Sequence, residues 1–123
     1  MNSELAVDTV WLRQQLQRGE AVFLVEVRHA GDWDLAVMKA RGALRLNSDD
    51  AHNHLSEIPK ERTVVVYSTA PVDHPAEALV ALLVREGYGR ARFLAGGFKA
   101  YLGAGLPVED IGEGRNMQRL RGL

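Results

Sequence analysis

The chain has 123 residues, 46% of them hydrophobic, with 15 Lys or Arg against 16 Asp or Glu for a formal charge of −1. That length and composition give one domain with a real buried core, and the balanced charge offers no basic stripe or global field for nucleic acid or an anionic membrane. The cysteine count is zero, which excludes disulfides, zinc–thiolate sites, iron–sulfur clusters and any thiol nucleophile. No run approaches the roughly 18 apolar residues of a membrane helix. The opening MNSELAVDTVW carries Glu4 and Asp8 and no apolar signal core, so the expected compartment is the cytoplasm.

Two periods alternate along the chain. Asp8 is placed to cap a helix with apolar positions at Val10, Trp11, Leu12 and Leu16, ending near Arg18-Gly19. Residues 21–27, AVFLVEV, form a β-branched apolar run that reads as a buried strand. Gly31 to Met38 reads as a short helix, residues 43–46 as a short strand, and Ser48-Asp49-Asp50 as the opening of another short helix that stops at Ile58-Pro59. Residues 63–67, TVVVY, are the clearest strand, followed by a loop over 68–74. Pro75 suits a first helical position, and the helix after it has apolar residues at Ala78, Leu79, Leu82 and Leu83, with Val80 and Val84 on the flank. Gly87 ends that helix as a left-handed cap. Residues 90–94 form the last expected strand, Gly96-Gly97 turn into a final helix through Tyr101, and Gly105-Leu106-Pro107 stop it. Strands alternating with helices in this way predict an α/β domain with a parallel sheet and helices on both faces. Residues 110–123 read as a tail in which Met117, Leu120 and Leu123 offer docking positions.

Open parallel sheets bind ligands beyond the carboxyl ends of their strands. The loop Ser68-Thr69-Ala70-Pro71-Val72-Asp73-His74 lies just past the strongest strand and just before a helix. Backbone N–H groups at such a junction form an anion cradle, with position 68 at its lip.

The order and spacing of several pieces carry a resemblance. They are Leu24-Val25-Glu26-Val27-Arg28, Gly42-Ala43, Val64-Val65-Val66-Tyr67-Ser68, Gly87-Tyr88, and Leu94-Ala95-Gly96-Gly97-Phe98 leading to Gly105-Leu106-Pro107-Val108. Together the chain resembles a single rhodanese domain over about residues 5–109, with 110–123 as a C-terminal tail. The resemblance implies a rhodanese-like three-layer domain with a central, mostly parallel five-stranded sheet and helices on both faces. It also implies a persulfide-forming cysteine directly after the Val-Val-Val-Tyr strand, where this chain has Ser68, and in a longer-loop subgroup a second cysteine where it has Asp73.

A persulfide cannot form on oxygen, so the sulfur-transfer route of the resembled family is closed to Ser68. As an oxygen nucleophile Ser68 needs a positioned base, and His74 is the nearby candidate in sequence. Otherwise Ser68 is a small polar residue that closes a strand by bonding loop amides. The loop has Asp73 and no Lys or Arg, so an anion there rests on backbone amides alone. The expected cradle is Ser68, Thr69, Ala70, Val72, Asp73 and His74, and the expected cleft rim is Arg28, His29, Gly96, Gly97 and Phe98. Glu26 stands where the resembled family has an aspartate, and a Glu26–loop or Arg28–carboxylate contact is the expected structural role of that motif. His52 and His54 are two apart, the wrong spacing for one helix face, and no metal or cofactor is expected. The reading is a non-catalytic binding or regulatory module with a vestigial anion cradle, taking a small anion, a sulfur-containing ligand or a protein partner. Its alternative is a sulfurtransferase-family enzyme whose nucleophile cysteine is replaced, naturally or by engineering, by Ser68.

Overall fold

A computed structural model describes residues 3–28, 38–70 and 72–110. A 3-10 turn, Ser3–Leu5, leads into strand β1 (Ala6–Val7) and helix α1 (Thr9–Gln17), whose N-cap Asp8 accepts from the Trp11 N–H at 2.8 Å. Strands β2 (Phe23–Arg28), β3 (Met38–Ala40) and β4 (Leu44–Asn47) follow, then a 3-10 segment, Ala51–Glu57. Strand β5 (Val64–Ser68), helix α2 (His74–Arg85), strand β6 (Ala91–Leu94), helix α3 (Gly97–Gly103) and strand β7 (Val108–Asp110) complete the chain order.

Five strands form one sheet in the order β1-β6-β5-β2-β4, every pair parallel. The period-2 alternation of β5 explains its two faces. Val64 and Val66 join one core cluster with Val25, Val27, Leu79, Val80 and Leu83, under α2 and the 3-10 segment. Val65 and Tyr67 join the other with Leu12, Leu24 and Tyr101, under α1 and α3. A strand buried on both faces has to read as a continuous apolar run, and β5 does.

Several elements differ from the sequence reading. Strand β2 starts at Phe23 rather than Ala21, because the Ala21 and Val22 carbonyls accept from the Arg62 guanidinium at 3.0 and 3.3 Å. The helix expected from Ser48 starts at Ala51 and is 3-10. In α2 the buried stripe is Ala76, Leu79, Val80 and Leu83, while Ala78 and Val84 are exposed. The true spacing is i, i+3, i+4, i+7 from Ala76. Met38, expected to close a helix, opens β3, which pairs antiparallel with β7; the rest of that expected helix lies outside the described residues. Strand β7 includes Asp110, so the first residue of the expected tail belongs to the folded domain; positions 111–123 lie outside the described residues. Among the described residues no helix is long and apolar enough to cross a membrane.

Candidate functional site

The loop 68–74 leaves the carboxyl end of the central strand. Ser68 is the last residue of β5 and 1% exposed. Its Oγ accepts from the Ala70 N–H at 3.1 Å. The Thr69 N–H donates to the Val27 carbonyl at 3.1 Å, and its Oγ1 lies 3.4 Å from the same oxygen. Two amides of the expected cradle are therefore spent inside the protein. Val72 is 59% exposed at the loop's surface and His74 is exposed. Among the described residues no hydrogen bond joins His74 to Ser68, so the histidine is not seated as its base.

Asp73 stands at the N-cap of α2, yet its side chain makes no bond to its own helix. Its Oδ2 instead accepts from the Gly96 N–H at 3.1 Å. The cradle's own carboxylate thus ties the loop to the turn before α3. That turn is Gly96-Gly97, with φ of 87° and 61°. A Cβ on Gly97 would stand 2.6 Å from the Ser68 carbonyl oxygen, so glycine is required there both for its backbone angle and for the close approach.

Of the expected rim, Gly96 is exposed, Gly97 is buried under Ser68 and Phe98 is half-buried. His29 and Pro71 lie outside the described residues. Arg28 does not line a rim: its side chain is fully buried. Alternation explains the correction. Leu24, Glu26 and Arg28 share one face of β2, the face packed toward α1 and α3.

On that face is a buried polar centre whose wider membership was not expected. Glu26, 0% exposed, is in register with Arg45 on β4 and with Tyr67 on β5. Its Oε2 accepts from Arg28 Nη1 and Arg45 Nε, each at 2.9 Å, and its Oε1 accepts from the Tyr67 hydroxyl at 2.6 Å. Tyr67 in turn accepts from the Ala40 N–H at 3.0 Å, which fastens β3 to the main sheet. Burial, then the adjacent Glu26 charge, push the Tyr67 phenol far above its ordinary range. Tyr67 stacks on Phe98 and Tyr101 with ring centroids 5.4 and 5.9 Å away. Burial pushes the Tyr101 phenol up to about 12. The sequence signal for this centre was a glutamate inside an apolar strand with arginine two residues on.

Lys39 pairs with Glu109 at 2.8 Å, and Arg41 is exposed. His54 lies between Asp50 at 3.5 Å and Glu57 at 2.7 Å. Among the described residues no group of three or more His, Cys, Asp or Glu is placed to hold a metal.

A five-stranded parallel sheet with helices packed on both faces, and a loop and helix start beyond the buried strand-end Ser68, defines a three-layer α/β domain. Residues 8–104 match the rhodanese-like domain, and the chain belongs to that family. A sulfurtransferase of Allochromatium vinosum is 34% identical over 102 residues, which is 83% of this chain and 92% of the relative. The rhodanese-like domain of an Anabaena protein superposes with a TM-score of 0.71 at 26% identity, over 90% of this chain and 81% of its own. A full-length Lactobacillus plantarum protein shares the fold with a TM-score of 0.76 at 23% identity, over 88% and 89% of the two chains.

Proposed function

We propose that this rhodanese-like domain is a non-catalytic binding or regulatory module whose anion cradle is vestigial. One observation carries the reading. The strand-end position at the cradle's lip holds a buried serine whose Oγ is already engaged by the Ala70 N–H, and the sequence contains no cysteine. Sulfur transfer through an enzyme persulfide requires a sulfur atom on the protein, and oxygen cannot replace it.

The loop's groups support the vestigial part. The Thr69 and Ala70 amides are satisfied internally, and the carboxylate of Asp73 sits on the Gly96 amide. A small anion would meet the charge of that carboxylate with no loop Lys or Arg to offset it.

The alternative, a sulfurtransferase frame with its nucleophile replaced, is favoured by the A. vinosum relative and by the intact strand–loop–helix geometry. Thiocyanate formation from thiosulfate and cyanide tests both readings. The chain is expected to give none above background, and production by the unaltered chain would overturn the proposal. Activity regained in Ser68→Cys would favour the alternative, since the cleft would still accept sulfur donors. A folded but inactive Ser68→Cys would mark a loop remodelled for binding.

A further inference from the structure

We propose a second, independent site: the cavity between α2 and the 3-10 segment binds a compact, neutral, ring-sized molecule carrying one hydrogen-bonding oxygen. It is a cleft about half open to solvent, with a volume of about 180 Å³. An enclosed apolar cavity of about 150 Å³ in another protein takes benzene; this cleft has similar room for one ring but leaves one edge of it in water. It opens beyond the carboxyl ends of β2 and β4, the end of an open parallel sheet at which ligands bind.

The walls are carbon, from Val27, Ala51, Pro75, Ala78, Leu79 and Leu82. The room exists because Ala51 and Ala78 contribute only methyl groups from the two elements that enclose it. Pro75 presents no N–H, so the start of α2 offers hydrocarbon on this side.

Two polar side chains complete the lining, Ser48 and His52. Neither has a side-chain hydrogen bond to any other described residue. Ser48 is fixed through its backbone, its N–H donating to the Arg28 carbonyl at 2.9 Å, which leaves its hydroxyl free for a ligand. Asp49 and Asp50 follow directly and are exposed. Their negative charge, adjacent in the chain to two lining residues, disfavours an anion, so the ligand's oxygen is a hydroxyl or carbonyl rather than a carboxylate. Neither Ser68 nor Asp73 lines this space, so the site does not depend on the reading of the 68–74 loop.

The test is amide-resolved NMR titration of the full chain with phenol, and with toluene as the probe that lacks oxygen. Saturable shifts are expected at Ser48, Ala51, His52, Ala78 and Leu79, with phenol about fivefold tighter than toluene, the worth of one hydrogen bond. Ala78→Leu places a larger side chain in the cavity from an exposed helical position and should abolish both responses. Ser48→Ala keeps the cavity's shape and should remove most of the preference for phenol. The absence of saturable shifts with either probe overturns the proposal. So do shifts that persist in a folded Ala78→Leu, or shifts confined to residues 69–74. Ser68→Cys should leave phenol binding unchanged, which separates this site from the loop.

Discussion

The Tyr67 hydroxyl donates to the Glu26 carboxylate at 2.6 Å across two adjacent parallel strands, one residue before the strand-end serine. The same carboxylate holds Arg28 and Arg45, and the same hydroxyl takes the Ala40 amide. One side chain on each of three strands therefore meets at a single buried charge. Its neutralisation comes from the two guanidiniums, and its remaining acceptor capacity from the phenol.

Removing the phenol oxygen should be costly beyond the lost bond. Tyr67→Phe leaves the ring stack in place but deprives both Glu26 and the Ala40 amide of their partner. The expected loss is about 1–3 kcal/mol. Glu26→Ala removes the anion shared by two arginines and should cost about 3–5 kcal/mol. Urea denaturation of both variants measures this, and a Tyr67→Phe protein as stable as the parent would contradict the network.

The Gly96-Gly97 turn makes a second prediction through contrast. Gly97→Ala adds a Cβ 2.6 Å from the Ser68 carbonyl oxygen at a φ of +61°. Gly42→Ala carries a similar φ of +76° but meets nothing within 4 Å. Gly42→Ala should cost about 1–2 kcal/mol, the backbone penalty alone. Gly97→Ala should cost distinctly more, because backbone on both sides must shift. Thermal unfolding of the pair decides, and equal melting temperatures would remove the steric argument.

All three tyrosines, Tyr67, Tyr88 and Tyr101, have phenols raised by burial. Each therefore binds its proton more tightly folded than unfolded. The sign follows: their contribution is fully present below the unfolded value of about 10 and is lost as pH rises from there toward the folded values. For Tyr101 that window runs from about 10 to about 12. Tyrosinate absorbance should stay low through pH 10 and appear together with loss of the folded circular-dichroism signal. Tyrosinate formation well before unfolding would argue that the phenols are open to water.

His54 supplies the neutral-pH case. Its hydrogen bond to Glu57 comes first among the causes that raise it above 6.5, with Asp50 adding in the same direction. A raised histidine stabilises below its unfolded value and loses that contribution as pH climbs through the folded one. NMR titration should give His54 a midpoint above 6.5, and Glu57→Gln should lower it. A midpoint insensitive to Glu57→Gln would assign the shift elsewhere.

The central strands are legible because a doubly buried parallel strand has no choice but to be apolar, and the edge strand β4 through its alternating Leu44 and Leu46. Residues 64–67 show this without ambiguity. The short strands are not. Ala6–Val7 and Met38–Ala40 are two and three residues long, and such strands exist only because a distant partner supplies their hydrogen bonds. The buried side of α2 is hidden from sequence for a related reason. Its apolar residues nearly encircle the helix from Ala76 to Val84, so periodicity fixed the element but not its buried side. At the site, Ser68 was placed by its position after the strand. The Arg45–Glu26–Tyr67 row depends on the register of three strands, which no single stretch of sequence encodes. Chain position alone puts Arg28 at the rim, whereas strand alternation turns it inward.

The pairing of β1 with β6 sets Ala6 beside Phe93 and Val7 beside Leu94. The Ala95 N–H also donates to the Val7 carbonyl at 2.8 Å. During synthesis the first strand to emerge must wait, unpaired, until nearly the whole domain has followed it. No hairpin can nucleate this sheet, because every neighbour pair is parallel and separated by a crossover. The β1–β6 pairing therefore joins residues separated by most of the domain, the kind of distant contact that slows folding.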